Sequence, residues 1–160
     1  MGKNITSIIK RANARMNILR KLKEFKPKMN DMRVIYISYI RSVLEQSCQV
    51  WHSSITEENS NDLERVQKDA LKIILQENYV CYESALHKMN LMDLKSRREL
   101  LCGKFALSCI SNQKTSKMFP NRNNLKSLRK NEKFEVIYAR TKRYKNTSIP
   151  YMQSLLNNLF

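Results

Sequence analysis

The chain has 160 residues, of which 42% are apolar, and carries 30 Lys and Arg against 14 Asp and Glu, for a formal net charge of +16. This length supports a domain with a real core, and no apolar run reaches the roughly 18 residues a membrane-crossing helix needs. Only two glycines and three prolines are present, which excludes a glycine-rich phosphate loop and favours helices.

Residues 5–24 read as a first helix. Ile5, Ile8, Ile9, Ala12, Met16, Leu19 and Leu22 recur at steps of three and four, and Pro27 ends the segment. Asn30 or Asp31 is the expected cap of a second helix running to about Trp51, with Ile35, Tyr39, Ile40, Val43, Leu44 and Val50 inward. Thr56 or Ser60 opens a third, whose apolar side is Leu63, Val66, Ala70, Leu71 and Ile74, with Asn78 as its stop. A short helix over 82–89 turns Ala85 and Leu86 inward. Asp93 caps a longer one to about Ile110, with Leu94, Arg98, Leu101, Cys102, Phe105 and Cys109 in register. Gly103 inside it is either a local weakness or the site of a close helix contact.

From Ser111 to Asn131 the sequence is polar and aperiodic, a loop or linker that Phe119-Pro120 docks to the body. Phe134, Val136 and Tyr138 alternate with Glu135 and Ile137, the pattern of a short strand near 134–138. Ser148 and Pro150 open a last helix carrying Tyr151, Leu155, Leu156 and Leu159. The expectation is an all-α bundle of about five helices with a loosely ordered basic C-terminal segment. Its divisions are a helical domain over 1–110, a linker over 111–131 and a basic segment over 132–160.

The charge is not evenly spread. Residues 1–48 carry 11 Lys and Arg against 3 Asp and Glu, residues 49–112 carry 8 against 9, and residues 113–160 carry 11 against 2. Basic ends around a balanced middle attract polyanions through counterion release. A solubilising surface and an anionic membrane surface are the alternatives. Lys10, Arg11, Arg15, Lys21 and Lys23 form a cationic flank on the first helix, suited to phosphate contact. Arg140 and Arg143 stand beside Tyr144, whose ring either stacks on a base or packs on the surface. Arg97 and Arg98 point about 100° apart on a helix, so at least one is expected in a structural ion pair, with Glu64 or Glu99 as partner. Trp51 reads as a core anchor, and Arg41 and Glu45 are spaced to pair.

No catalytic set is found. Asp31, Asp62, Asp69 and Asp93 are the only aspartates and lie far apart in sequence, whereas two-metal chemistry needs acids held around cations about 4 Å apart. Cys48, Cys81, Cys102 and Cys109 show neither C-x-x-C spacing nor a histidine partner at zinc-ligand spacing. They read as buried free thiols of a reducing compartment, cytoplasmic or nuclear. Neither metal nor cofactor is expected.

Several phrases, in order, carry a resemblance: Ala12-x-x-x-Met16-x-x-Leu19-x-x-Leu22-Lys23, Tyr39 to Glu45, Val50-Trp51-His52, Leu63 to Lys68, Tyr82 to Leu94, Arg97-Arg98-Glu99, Phe105-Ala106, Phe119-Pro120, Ala139 to Tyr144, and Ile149-Pro150 with Leu155-Leu156-Asn157. Together they resemble the region that follows the palm in reverse transcriptases of non-LTR retrotransposons, most like the Jockey and CR1 types. The resemblance implies a helical thumb that grips a template–primer, RNA or an RNA–DNA duplex, through its backbone. It also implies a missing palm and fingers as partner, and with them the Tyr-x-Asp-Asp turn of the RNA-directed DNA polymerase. Asp69 stands where many relatives carry a basic residue. The competing reading is a degenerate element remnant that serves as a helical protein-interaction module through residues 49–112.

Overall fold

In the computed structural model, described for residues 2–122 and 133–159, the chain is all-α. Among the described residues the β structure is confined to an isolated antiparallel bridge between Asn121 and Phe134. Packing divides the chain into two compact units, Met1–Ser47 with Ile55–Arg97, and Cys48–Ser54 with Arg98–Phe160. The division thus falls inside a helix, between Arg97 and Arg98, whereas the divisions expected from sequence lie near 110 and 131.

In the first unit, α1 (Gly2–Lys23) buries Ile5, Ile8, Ala12, Met16 and Leu19. This single stripe packs mainly on α5 (Glu57–Leu75), which buries Leu63, Val66, Ala70, Leu71, Ile74 and Leu75. Each large aliphatic side chain so buried contributes about 1.5–3 kcal/mol. Thr56 caps α5, its hydroxyl accepting from the Asn59 amide at 3.2 Å. Chain reversal after α1 uses Lys26 at φ 48° ahead of Pro27.

The second expected helix is not one helix. It starts after Lys28, with no side-chain cap from Asn30 or Asp31, as α2 (Met29–Ile35). It then widens into a π-helical stretch (Tyr36–Arg41) and ends as α3 (Ser42–Leu44). Ser47, at φ 52°, turns the chain in the left-handed region. That conformation costs a non-glycine residue roughly 1–2 kcal/mol, and no glycine announces it. The residues that follow, α4 (Cys48–Trp51), belong to the second unit.

Below α1 and α5 lies a buried polar network. Gln67 is fully buried; its Oε1 accepts from Tyr36 Oη at 2.5 Å, and its Nε2 donates to Tyr82 Oη at 2.8 Å and to the Met92 carbonyl at 2.9 Å. Tyr82 opens α6 (Tyr82–Lys88) and donates its hydroxyl to Glu64. Both Glu64 oxygens also accept from the Leu94 amide, each at 3.1 Å, at the start of α7 (Leu94–Ser111). A carboxylate there complements the positive helix terminus. Burial pushes both tyrosine hydroxyls far above their ordinary range, so they act as neutral donors. Asp93 caps α7 through the Ser96 amide at 2.8 Å.

In the second unit, α7 from Arg98 onward and α9 (Ser148–Leu159) enclose Ala106, Cys109, Phe119, Phe134, Met152 and Leu156. Phe119 does dock the polar stretch to the body, just after a 3₁₀ turn at Ser116–Met118. Arg98 is fully buried: its Nε donates to His52 Nδ1 at 3.3 Å, and its guanidinium lies 5.8 Å from the Trp51 ring centroid. Trp51 is the core anchor expected of it, 3% exposed. Back in the first unit, Arg97 pairs with Glu45 at 3.1 Å, and Arg41 shares that carboxylate at 3.1 Å. The partner is therefore Glu45, not Glu64 or Glu99.

Several residues depart from expectation. Tyr39 and Val50, expected inward, are 40% and 62% exposed: the Tyr39 ring lies against the Arg15 guanidinium, and after the turn at Ser47 it is Cys48 and Trp51 that α4 buries. Phe105 is 46% exposed while Ala106 is buried, because the inward line of α7 runs Leu94, Arg98, Cys102, Ala106, Cys109. Gly103 faces open space, with nothing within 4 Å of where a Cβ would sit, so it serves no close helix contact. Cys81 is exposed, its sulfur capping α6, while Cys48, Cys102 and Cys109 are buried free thiols. A hydrogen bond with Cys48, together with burial, pushes the Cys102 thiol up, so it stays protonated.

Candidate nucleic-acid interface

The first cationic segment is α1 itself. Its 22 residues include Lys3, Lys10, Arg11, Arg15, Arg20, Lys21 and Lys23 and contain neither an acidic nor an aromatic residue. At about 100° per residue, Lys10, Ala14, Asn17 and Lys21 fall on the face opposite the buried stripe, and all four are exposed. Lys10 and Lys21 are about 16 Å apart along the axis at about 1.5 Å per residue. Arg11 is exposed on one flank. Lys21 and Lys23 also occupy the last turn, where cations complement the helix dipole.

Arg15 differs from the rest. It is half-buried; its Nη1 donates to the Tyr39 carbonyl at 2.7 Å and its guanidinium lies 4.5 Å from the Tyr39 ring centroid. Its charge is engaged with α1's neighbour, which leaves less of it for phosphate. The cations of α5 are compensated too: Arg65 pairs with Asp62 at 3.3 Å, Lys72 with Asp69 at 3.6 Å, and Lys68 lies 4.9 Å from the Tyr82 ring centroid. In the first unit the uncompensated stripe is the outer face of α1.

The second cationic segment lies in the other unit. An extended stretch from Lys133 pairs with residues 120–122, where the Arg122 amide donates to the Lys133 carbonyl at 3.0 Å and the Glu135 amide to the Pro120 carbonyl at 2.9 Å. Asn157 on α9 brackets Phe134, accepting from its amide at 2.9 Å and donating to its carbonyl at 3.0 Å. Gln153, fully buried, accepts from the Ile137 amide at 3.1 Å and donates to the Met118 carbonyl at 2.9 Å. The expected strand is thus an extended segment held by two amide side chains. Its alternation stops early: Phe134 is 3% exposed, but Tyr138 is 86% exposed.

Arg140 follows, exposed, and α8 (Lys142–Lys145) then carries Arg143 and Tyr144 to the surface, with Tyr144 46% exposed. Thr141 caps this turn through the Tyr144 amide at 3.2 Å, and the Thr147 hydroxyl donates to the Tyr144 carbonyl at 2.7 Å. Sequence reasoning singles out Tyr144 for stacking and reads Tyr138 only as part of the short strand.

Among the described residues no group of three His, Cys, Asp or Glu is placed to hold a metal ion, and no helix is long and apolar enough to cross a membrane. Compared with family models, curated proteins and solved structures, the chain gave no significant match.

Proposed function

We propose that this chain binds nucleic acid without catalysis, gripping the backbone of RNA or an RNA–DNA duplex electrostatically, and that it derives from the post-palm region of a non-LTR retrotransposon reverse transcriptase. The observation that carries the reading is α1, a 22-residue helix with seven Lys and Arg and no acid, whose outer face is exposed. A structural helix that only needed solubility would mix both signs, as α5 does with Asp62, Arg65, Asp69 and Lys72. The ordered phrases from Ala12 to Asn157 support the parentage, and the palm and fingers of the parent polymerase are the natural docking partner. Such binding weakens linearly in log–log form with salt, by about 0.9 per phosphate contact on duplex DNA. A salt-series titration with an RNA–DNA duplex is expected to give a slope of roughly −4 or steeper. No binding at low salt, or binding indifferent to salt, overturns the proposal.

One observation favours the second reading, a helical protein-interaction module. The outer side of α7 exposes Leu100 and Leu107, which with Gly103 and Leu155 line an apolar groove of about 360 Å³. Under that reading, charge reversal at Lys10 and Lys21 leaves the chain's function untouched.

A further inference from the structure

The two cationic segments differ in one respect that bears on what each binds. α1 has no aromatic residue, so it offers phosphate contacts only. The segment from Tyr138 to Lys145 interleaves two exposed tyrosines with Arg140, Lys142, Arg143 and Lys145, all exposed. Glu135 is the only acid between Lys133 and Leu159. A tyrosine left 86% exposed gains nothing for the fold from its ring, and aromatic rings beside cations are the means by which proteins hold unpaired bases.

The backbone under both rings is anchored. Gln153 fixes the chain at Ile137, one residue before Tyr138. Thr141 and Thr147 hold the amide and carbonyl of Tyr144. Rings on a fixed backbone lose less freedom on binding than rings on a free tail. They are six positions apart, so their Cα atoms lie at most about 20 Å apart, within reach of one short single strand.

We infer that Tyr138 and Tyr144, with Arg140 and Arg143 between them, form a stacking site for single-stranded nucleic acid, distinct in preference from the duplex-gripping face of α1. The inference rests on the proposed nucleic-acid function and names the substrate class of its second segment. Stacking is sequence-tolerant because every base has a π-face, so the site discriminates strandedness rather than sequence.

The test is fluorescence anisotropy with the full chain, using a labelled oligo(dT) of about a dozen nucleotides and the same strand annealed to oligo(rA), an RNA–DNA duplex. Tyr138→Ala and Tyr144→Ala are each expected to weaken single-strand binding at least about fivefold and to leave duplex binding unchanged. Tyr138→Phe and Tyr144→Phe keep the ring and are expected to bind as the parent does. Single-strand affinity that ignores both alanine changes, or an equal loss for both ligands, overturns the stacking site while leaving electrostatic binding standing. Failure of the parent chain to bind either ligand overturns both.

Discussion

Replacing Gln67 by leucine probes what holds the first unit together. The side chain is fully buried and uses its acceptor and both donors, on Tyr36, Tyr82 and Met92. Leucine matches its bulk but leaves the buried Tyr36 hydroxyl without this acceptor, at about 1–3 kcal/mol, and removes a donor from the Met92 carbonyl, at about 0.5–1.5 kcal/mol. Tyr82 still donates to Glu64, so it adds little. The net cost is about 2–4 kcal/mol, which lowers a urea midpoint by roughly 1–2 M for a typical dependence of about 2 kcal/mol per molar. Far-UV circular dichroism across a urea series measures it. Tyr36→Phe removes the stranded hydroxyl, so the double variant is expected to lose at least about 1 kcal/mol less than the two single costs combined. Additive costs, or a Gln67→Leu cost under about 0.5 kcal/mol, refute the view that this network is coupled.

Gly103→Ala meets open space and is expected to raise stability by about 0.5–1 kcal/mol, a gain readable as a higher urea midpoint. Asp93→Ala removes a cap and costs about 1 kcal/mol at neutral pH. Partial burial raises the Asp93 pKa, but hydrogen bonds led by the Ser96 amide outweigh it and hold the carboxyl below its ordinary value. That stability is complete above the ordinary aspartate value and is lost as pH falls through the lower folded value. The gap between parent and variant should therefore close on acidification, and a pH-independent gap contradicts it. Arg15→Ala is expected to cost about 1–2 kcal/mol through Tyr39. Because its charge is already engaged, it should change the salt slope of binding by less than about half a unit.

Periodicity made α1 legible: 22 residues without an internal breaker repeat apolar side chains at helical steps, and Ile5, Ile8, Ala12, Met16 and Leu19 are buried accordingly, with Ile9 and Leu22 partly so. Local chemistry made the Thr56 and Asp93 caps legible for the same reason, since a cap needs only its own next turn. The break at Ser47 was not legible, because a serine in the left-handed region is imposed by packing and leaves no glycine behind. Gln67 falls on the same line as Leu63, Ala70 and Ile74, yet a polar residue breaks an apolar pattern. Only partners 31 and 15 positions away explain its burial. Of the candidate interface, the cations of α1 were readable by composition. The engagement of Arg15 by Tyr39, 24 positions away, and the outward turn of Tyr138 past the Gln153 anchor are tertiary facts.

The central claim is that the outer face of α1 meets phosphate. The most direct measurement is the salt slope of RNA–DNA duplex binding for the parent chain and for Lys10→Ala/Lys21→Ala, two exposed positions outside the core. A slope shallower by about 2 is expected in the double variant, because each lysine that no longer neutralises a phosphate takes about 0.9 from it. An unchanged slope with unchanged affinity contradicts the claim, and places any nucleic-acid binding elsewhere on the chain.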